Sequence, residues 1–153
     1  MSKTLDLVFN PDPRLRERSK EIEINEISSL LGLCADMEET MRANDGVGLA
    51  APQIGKNIRL ILVLTNDGAK PMFNPIIQKQ SLLSEWGEEG CLSIPKTFGD
   101  VKRHKKTICN YLDEKGQTRT IEAKGLLARI IQHEIDHLDG VLFIDKAKNI
   151  HTV

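Results

Sequence analysis

IIQHEIDHLDG, residues 130–140, places His133, Glu134 and His137 in the pattern H-E-x-x-H. Together with LLAR upstream, its apolar residues recur at helical spacing and Gly140 supplies a stop. The spacing therefore predicts a helix from about Leu126 to Leu138. Residues four apart lie one turn apart on the same helix face, so His133 and His137 aim two imidazoles at one point. Glu134 sits about 100° round the helix, where its carboxylate can reach a water beside that point. The flanking positions are mostly apolar, so the helix is expected to be buried, and buried polar groups need partners. The competing reading is a surface helix with coincidental His and Glu. The periodicity and the glycine stop favour a metal ion held by His133 and His137, with Glu134 as general base.

The rest of the chain bounds what such a helix can belong to. Its 153 residues, 40% hydrophobic and 28% charged, suit one folded domain spanning 1–153. A net charge of −1 points to neither a membrane nor direct nucleic-acid binding. The N-terminus has no signal-like apolar core, and no window approaches the roughly 18–20 apolar residues of a membrane span. The expected location is the cytoplasm, bacterial or that of a phage host. Three cysteines, Cys34, Cys91 and Cys109, form no disulfide framework and are expected as thiols, ligands or core fillers.

Residues 11–20 read as a turn with a short helical piece. A first helix is expected from about Glu26 to Arg42, capped by Asn25, with Ile27, Leu30, Leu31, Cys34, Met37 and Met41 on its apolar face beside Glu38. NDGVGLAAPQIG, 44–55, is too rich in glycine for a regular helix. RLILVL, 59–64, reads as a buried strand. MFNPIIQ, 72–78, reads as another, with Pro75 marking an edge or a bulge. TICNYL (107–112) and TRTIEA (118–123) form a hairpin with Gly116 at the turn, and VLFI (141–144) reads as a terminal strand. Antiparallel strands with one early and one late helix imply an α+β fold, the strands packed around a central metal-binding helix.

A catalytic metal site wants a third protein ligand, and the helix does not obviously hold one. Asp136 is better placed to support a ligand than to join the imidazoles. Cys91, in EEGCLSIP (88–95), stands out among distant candidates and would complete a Cys/His/His set. Cys34 and Cys109 read more readily as packing, although elimination alone does not settle the choice. That donor set by itself suggests zinc first.

Three segments, GVGLAAPQ (46–53), EGCLS (89–93) and QHEIDH (132–137), resemble in order and spacing the signature motifs of the peptide deformylases. The likeness runs from PDPRLR near residue 11 to GVLFID near 145. It implies an α+β metallohydrolase that removes the formyl group from N-terminal formylmethionine of nascent chains and releases formate. Residue by residue, it implies Cys91, His133 and His137 as metal ligands and Glu134 as general base. Gln53 and the Leu92 backbone N–H would donate to the formyl oxygen, and Gly48 would contact the substrate backbone. The implied ion is Fe²⁺, replaceable by Zn²⁺, Ni²⁺ or Co²⁺. The implied partners are N-formylmethionyl peptides and, for members with a C-terminal docking helix, the ribosome that carries nascent chains.

Helix geometry and the family pattern together suggest Val47, Leu126, Ile130 and the stem of Arg129 for the methionine pocket. The same pattern suggests Arg103 as the partner of Asp136, and removing it is expected to weaken metal retention while leaving the fold. The alternative places Arg103 in a solvated basic run with Lys102, Lys105 and Lys106. His104 stands where many members carry proline, and a solvated side chain is expected there. His151 is expected to be mobile, and Trp86 to line the site's mouth or cover the core. The end, DKAKNIHTV, is too short and polar for the C-terminal helix by which some members dock on ribosomes. A zinc endopeptidase would usually take His or Glu as its third ligand. A non-catalytic metal-stabilised module would not need Glu134 or Gln53.

Overall fold

The computed structural model describes residues 1–153. RLILVL becomes the centre of the fold because both of its faces find apolar cover. It forms β2 (Leu60–Thr65), between β1 (Gly48–Ala50) and β3 (Gly68–Gln80). The sheet continues through β6 (Lys106–Leu112) to β7 (Thr118–Lys124) in the order β1-β2-β3-β6-β7, every pair antiparallel. Alternate residues of a strand point to opposite faces. Leu60 and Leu62 accordingly join the core shared with helix α1 (Ile27–Ala43), through Cys34, Met37 and Met41. Ile61 and Val63 join the core of helix α2 (Leu126–Leu138), through Ala128, Ile130, Ile131 and Leu138. The H-E-x-x-H helix is thus pinned to one sheet face by a wholly apolar stripe. Fully burying a side chain such as Ile131 contributes about 1.5–3 kcal/mol.

A second sheet closes the other flank of α2. It comprises β4 (Ser84–Cys91), β5 (Ile94–His104) and β8 (Lys148–Thr152), in the order β4-β5-β8. Val101 and Ile94 of β5 pack with Val8, Leu15, Leu142 and Phe143 in a smaller core beneath it. Cys91 ends β4, and its cross-strand partner Ile94 opens β5, so Leu92 and Ser93 form the tight turn between them.

The expected second helix and the β6–β7 hairpin stand where the sequence put them, with Gly116 and Gly140 both at positive φ. At Gly140 a side chain would strike the Arg16 backbone. Pro75 marks a bulge and not an edge: β3 lies inside the sheet, and its register with β6 shifts between Phe73 and Ile76. Asn74, at φ +51°, exchanges hydrogen bonds with the Ile22 backbone across that bulge.

Other expectations are corrected. Asn25 does not cap α1; it lies in a 3-10 turn, Ile24–Glu26, and no side chain caps the helix. Leu31 is largely exposed rather than on the buried face. VLFI is not a strand, because Leu142 and Phe143 both turn inward and Phe143–Asp145 close a 3-10 turn held by Asp145 Oδ2 on the Leu142 N–H. The terminal strand is the polar β8, where His151 pairs with Phe98 instead of trailing free. His104 is half-buried, and its Nδ1 lies 2.8 Å from the Ser81 carbonyl.

Candidate metal centre

Two elements, β4 and α2, bring three candidate ligands together. The ligating atoms of Cys91, His133 and His137 lie within 4.8 Å of one another, with Cys91 Sγ 3.4 Å from His137 Nε2. Cys91 comes from the end of β4, and the imidazoles from successive turns of α2. A soft thiolate with two imidazoles is a donor set for a first-row divalent ion. Glu134 is buried beside them, and its Oε1 has no hydrogen-bond partner. An orphaned carboxylate oxygen in such a place costs several kcal/mol unless a ligand meets it. The residues present therefore fit a metal ion.

The neighbouring elements are shaped to this cluster. Gly48 in β1 lies against the Glu134 carboxylate: a Cβ there would stand 2.5 Å from Oε2 and 2.9 Å from Ile130 Cγ2. Gln53, in the 3-10 turn Ala51–Ile54, is anchored by its Oε1 accepting from the Ala50 N–H at 2.9 Å. Its Nε2 is thereby turned toward Cys91 Sγ, at 3.4 Å, and Ser93 Oγ, at 3.1 Å.

Behind the cluster lies a buried ionic network centred on Glu89. Its Oε1 receives His133 Nδ1 at 2.8 Å and Arg103 Nη2 at 2.9 Å. Its Oε2 receives Arg103 Nε at 2.9 Å and Arg129 Nη1 at 2.7 Å. Arg103 also reaches Asp136 Oδ2 at 2.5 Å, and Lys146 meets the same oxygen at 3.0 Å. Arg103 is therefore the partner of Asp136, and it is 4% exposed, not part of a solvated run. Burial opposes the charge on Glu89, but the hydrogen bonds from His133 and Arg103 outweigh it and hold its carboxyl well below the usual range. A carboxylate only accepts, so His133 donates to it through Nδ1–H, which leaves Nε2 as the nitrogen that faces the metal cluster.

Burial pushes the Glu134 carboxyl up to about 7, against the pull of His133. His133 moves up to about 10: burial opposes its charge, but Glu134, Cys91 and Glu89 outweigh that. Burial, helped by the charge on His133, pushes His137 well down. Burial likewise raises Cys34 to about 12 and Cys109 to about 11, as suits thiols packed in the two larger cores.

The cluster opens into a cleft of about 670 Å³. Val47, Gly48, Gln53, Leu92, Leu126, Arg129 and Ile130 all line it, alongside Cys91, His133 and Glu134. Val47 and Leu126 are exposed at the rim, and Ile130 is buried in the wall. Asp136 and Arg103 stand behind the ligands, outside the lining. Trp86 does not line the cleft, since it sits on the small sheet with Lys148 Nζ 5.0 Å from its ring centroid. Sequence reasoning gave Glu89 no role. Its one signal was its place as first letter of EGCLS, in a strand where it alone is buried.

A buried H-E-x-x-H helix, completed by a cysteine from a separate strand at the floor of a cleft, defines a metallohydrolase-type centre. A family model described as polypeptide deformylase matches residues 4–153. The peptide deformylase of Thermoanaerobacter pseudethanolicus is 50% identical over 138 residues, covering 89% of this chain and 84% of the relative. A Synechococcus elongatus peptide deformylase crystallised with actinonin superposes with a TM-score of 0.89 at 42% identity, over 95% of this chain and 79% of the other. A Met-Ala-Ser-bound class I type b enzyme from Acinetobacter baumannii gives 0.91 at 35% identity, over 95% and 99%. This chain belongs to the polypeptide deformylase family; the family implies a divalent metal ion, and the Cys91/His133/His137 cluster is a group that could hold one.

Proposed function

We propose that this protein is a peptide deformylase, hydrolysing the formamide bond of N-formylmethionyl peptides and releasing formate. The observation that carries the reading is the unpartnered, buried Glu134 carboxylate beside the Cys91/His133/His137 cluster at the floor of a peptide-sized cleft. A structural metal site would not need that carboxylate.

Cys91, His133 and His137 would hold the ion, which when bound supplies Lewis-acid activation of water and of the formyl oxygen. Glu134 takes the proton of the attacking water and passes it to the leaving amine nitrogen. A carboxyl raised toward neutrality suits both halves of that task. Gln53 Nε2, turned to the cluster by its anchored carbonyl, and the Leu92 N–H, in the turn after Cys91, stabilise the oxygen that gains charge. One such donor contributes about 2.7–4 kcal/mol in other hydrolases. Gly48 lets the peptide backbone approach Glu134, and Val47, Leu126, Ile130 and the Arg129 stem receive the methionine side chain. Glu89 and Arg103 hold His133 in its ligating orientation.

We assign Fe²⁺ as the resident ion on the family resemblance, with the donor set accommodating Zn²⁺, Ni²⁺ and Co²⁺ as well. We place the enzyme in the cytoplasm, acting on chains as they leave the ribosome. No helix is long and apolar enough to cross a membrane. Formate release from formyl-Met-Ala-Ser, by protein loaded with Fe²⁺, Ni²⁺ or Co²⁺, tests the reading, with metal-free protein and Glu134→Ala as controls. Cleavage of an internal peptide bond would instead mark an endopeptidase, and inertness a binding module. Metal analysis of protein prepared without oxygen tests the ion.

A further inference from the structure

One wall of the cleft carries a cation where hydrocarbon alone would serve for packing. Arg129 projects from the first turn of α2 and lines the cleft, yet only 12% of its side chain is exposed. Its guanidinium occupies the space left by Gly87 of β4: a Cβ there would stand 2.9 Å from Cζ and 3.0 Å from both Nε and Nη2. Nη1 donates to Glu89 Oε2 at 2.7 Å and to the Val101 carbonyl at 2.9 Å, and Nη2 donates to the Glu85 carbonyl at 2.9 Å. The other oxygen of Glu89 receives His133 Nδ1. A single carboxylate thus joins the cleft wall to a metal-ligand imidazole.

We propose that Arg129 is a positioning residue that couples the pocket for the substrate's first side chain to the ligand His133, with Gly87 providing the space that lets it reach Glu89. The inference rests on the deformylase reading above. The guanidinium already rests on Glu89 Oε2. A substrate side chain long enough to lie along the Arg129 stem covers the 12% of Arg129 still exposed, which strengthens that ion pair by removing water. Glu89 Oε1 then fixes the His133 imidazole with Nε2 facing the metal cluster. Side-chain binding is thereby expressed in the geometry of the reacting centre as well as in affinity. Under such an arrangement a truncated substrate loses kcat in addition to raising KM.

The test compares formyl-Met-Ala-Ser with formyl-Ala-Ala-Ser on wild type, Arg129→Gln, Arg129→Lys and Gly87→Val, each also titrated with Co²⁺ against a competing chelator. Arg129→Gln removes the cation, whereas Gly87→Val leaves Arg129 in place and displaces its head. In wild type, the alanine substrate should show a lower kcat as well as a higher KM. In Arg129→Gln and Gly87→Val, kcat for the methionine substrate should fall about tenfold toward the alanine value, and Co²⁺ affinity should fall with it. The part of the KM preference for methionine set by Val47, Leu126 and Ile130 should persist. Arg129→Lys, which keeps a cation opposite Glu89, should recover part of kcat. A merely structural Arg129 would slow both substrates in proportion. A methionine-to-alanine kcat ratio unchanged from wild type, or wild-type Co²⁺ affinity in both variants, overturns the proposal. Absence of formate from wild type with either substrate is failure of the deformylase reading, and the coupling falls with it. Formate release with an unchanged ratio is failure of the coupling alone.

Discussion

Glu89 Oε1 lies 2.8 Å from His133 Nδ1, and no oxygen of that carboxylate is left free, because two guanidinium groups take the remaining positions. The imidazole is therefore held by an acceptor that is itself fixed on both sides. A histidine whose Nδ1–H is committed in this way presents Nε2 in one orientation, which is what a metal site needs before the metal arrives.

Glu89→Gln tests that arrangement with almost no change in shape. The amide offers one accepting oxygen where the carboxylate offered two, and its NH₂ must face an imidazole or a guanidinium. Metal affinity should fall about 10–100-fold, measured by Co²⁺ competition. The substitution should also alter acid stability. The Glu89 carboxyl is depressed from its ordinary 4.5, so its contribution is present above that value and lost as pH falls below it. The metal-free wild type should lose stability on acidification below about pH 4.5 more steeply than the variant, in denaturant melts taken at successive pH values. Parallel curves would argue against the network.

Arg103→Ala is expected to do more than the sequence suggested. The residue is buried, and it bridges Glu89 and Asp136. Removing it leaves Glu89 with one guanidinium and Asp136 with Lys146 alone. Breaking a buried ionic cluster in this way costs about 3–5 kcal/mol, so the metal-free variant should unfold at clearly lower denaturant, with metal affinity reduced as well. An unchanged midpoint would restore the original expectation of an intact fold.

What the sequence made legible follows from how local each signal was. The α2 period and its Gly140 stop, the β6–β7 hairpin and the both-faces-buried β2 are short-range patterns, and the structure has them. The pairing of β4 with β5 was not legible as two strands, since SEWGEEGC has no apolar alternation and its one buried residue is a glutamate. That strand is held by β5 and by charge pairs from α2, which are long-range. The C-terminus misled in the same way: apolar VLFI folds into the small core as a turn, while polar KNIHT forms the strand on the edge of β5. Within the site, H-E-x-x-H named two ligands and Glu134, but Cys91 needed the motif resemblance, and Glu89 needed the structure.

Gly48→Ala should separate the proton carrier from the metal ligands. The added methyl would stand 2.5 Å from Glu134 Oε2 and 2.9 Å from Ile130 Cγ2. Glu134 is the freer of the two, because its Oε1 has no partner to lose. The carboxylate should therefore swing away while Cys91, His133 and His137 keep their places. Expected are near-wild-type Co²⁺ affinity and a kcat reduced about 10²–10⁴-fold, the usual worth of a positioned general base. Joint loss of metal and activity would mean that the methyl disturbs the ligands instead.

Metal affinity should rise with pH across neutrality, for reasons set by the metal-free site. His133 there holds a proton up to about pH 10, and it must give that proton up before Nε2 can ligate. His137 is already neutral, so it contributes no proton near pH 7. Glu134, raised to about 7, is partly protonated at neutral pH, and a neighbouring cation favours its charged form. Binding should then release one proton from His133 and a fraction from Glu134, together with the proton of any Cys91 thiol, which must leave before sulfur can ligate. The apparent affinity for Co²⁺ should accordingly increase by at least about tenfold per pH unit between pH 6 and 7, and less steeply above pH 8 as Glu134 ionises unaided. Glu134→Gln should flatten the steeper lower part while leaving the His133 component. A pH-independent affinity in wild type would show that neither His133 Nε2 nor Cys91 Sγ carries a proton before the metal binds.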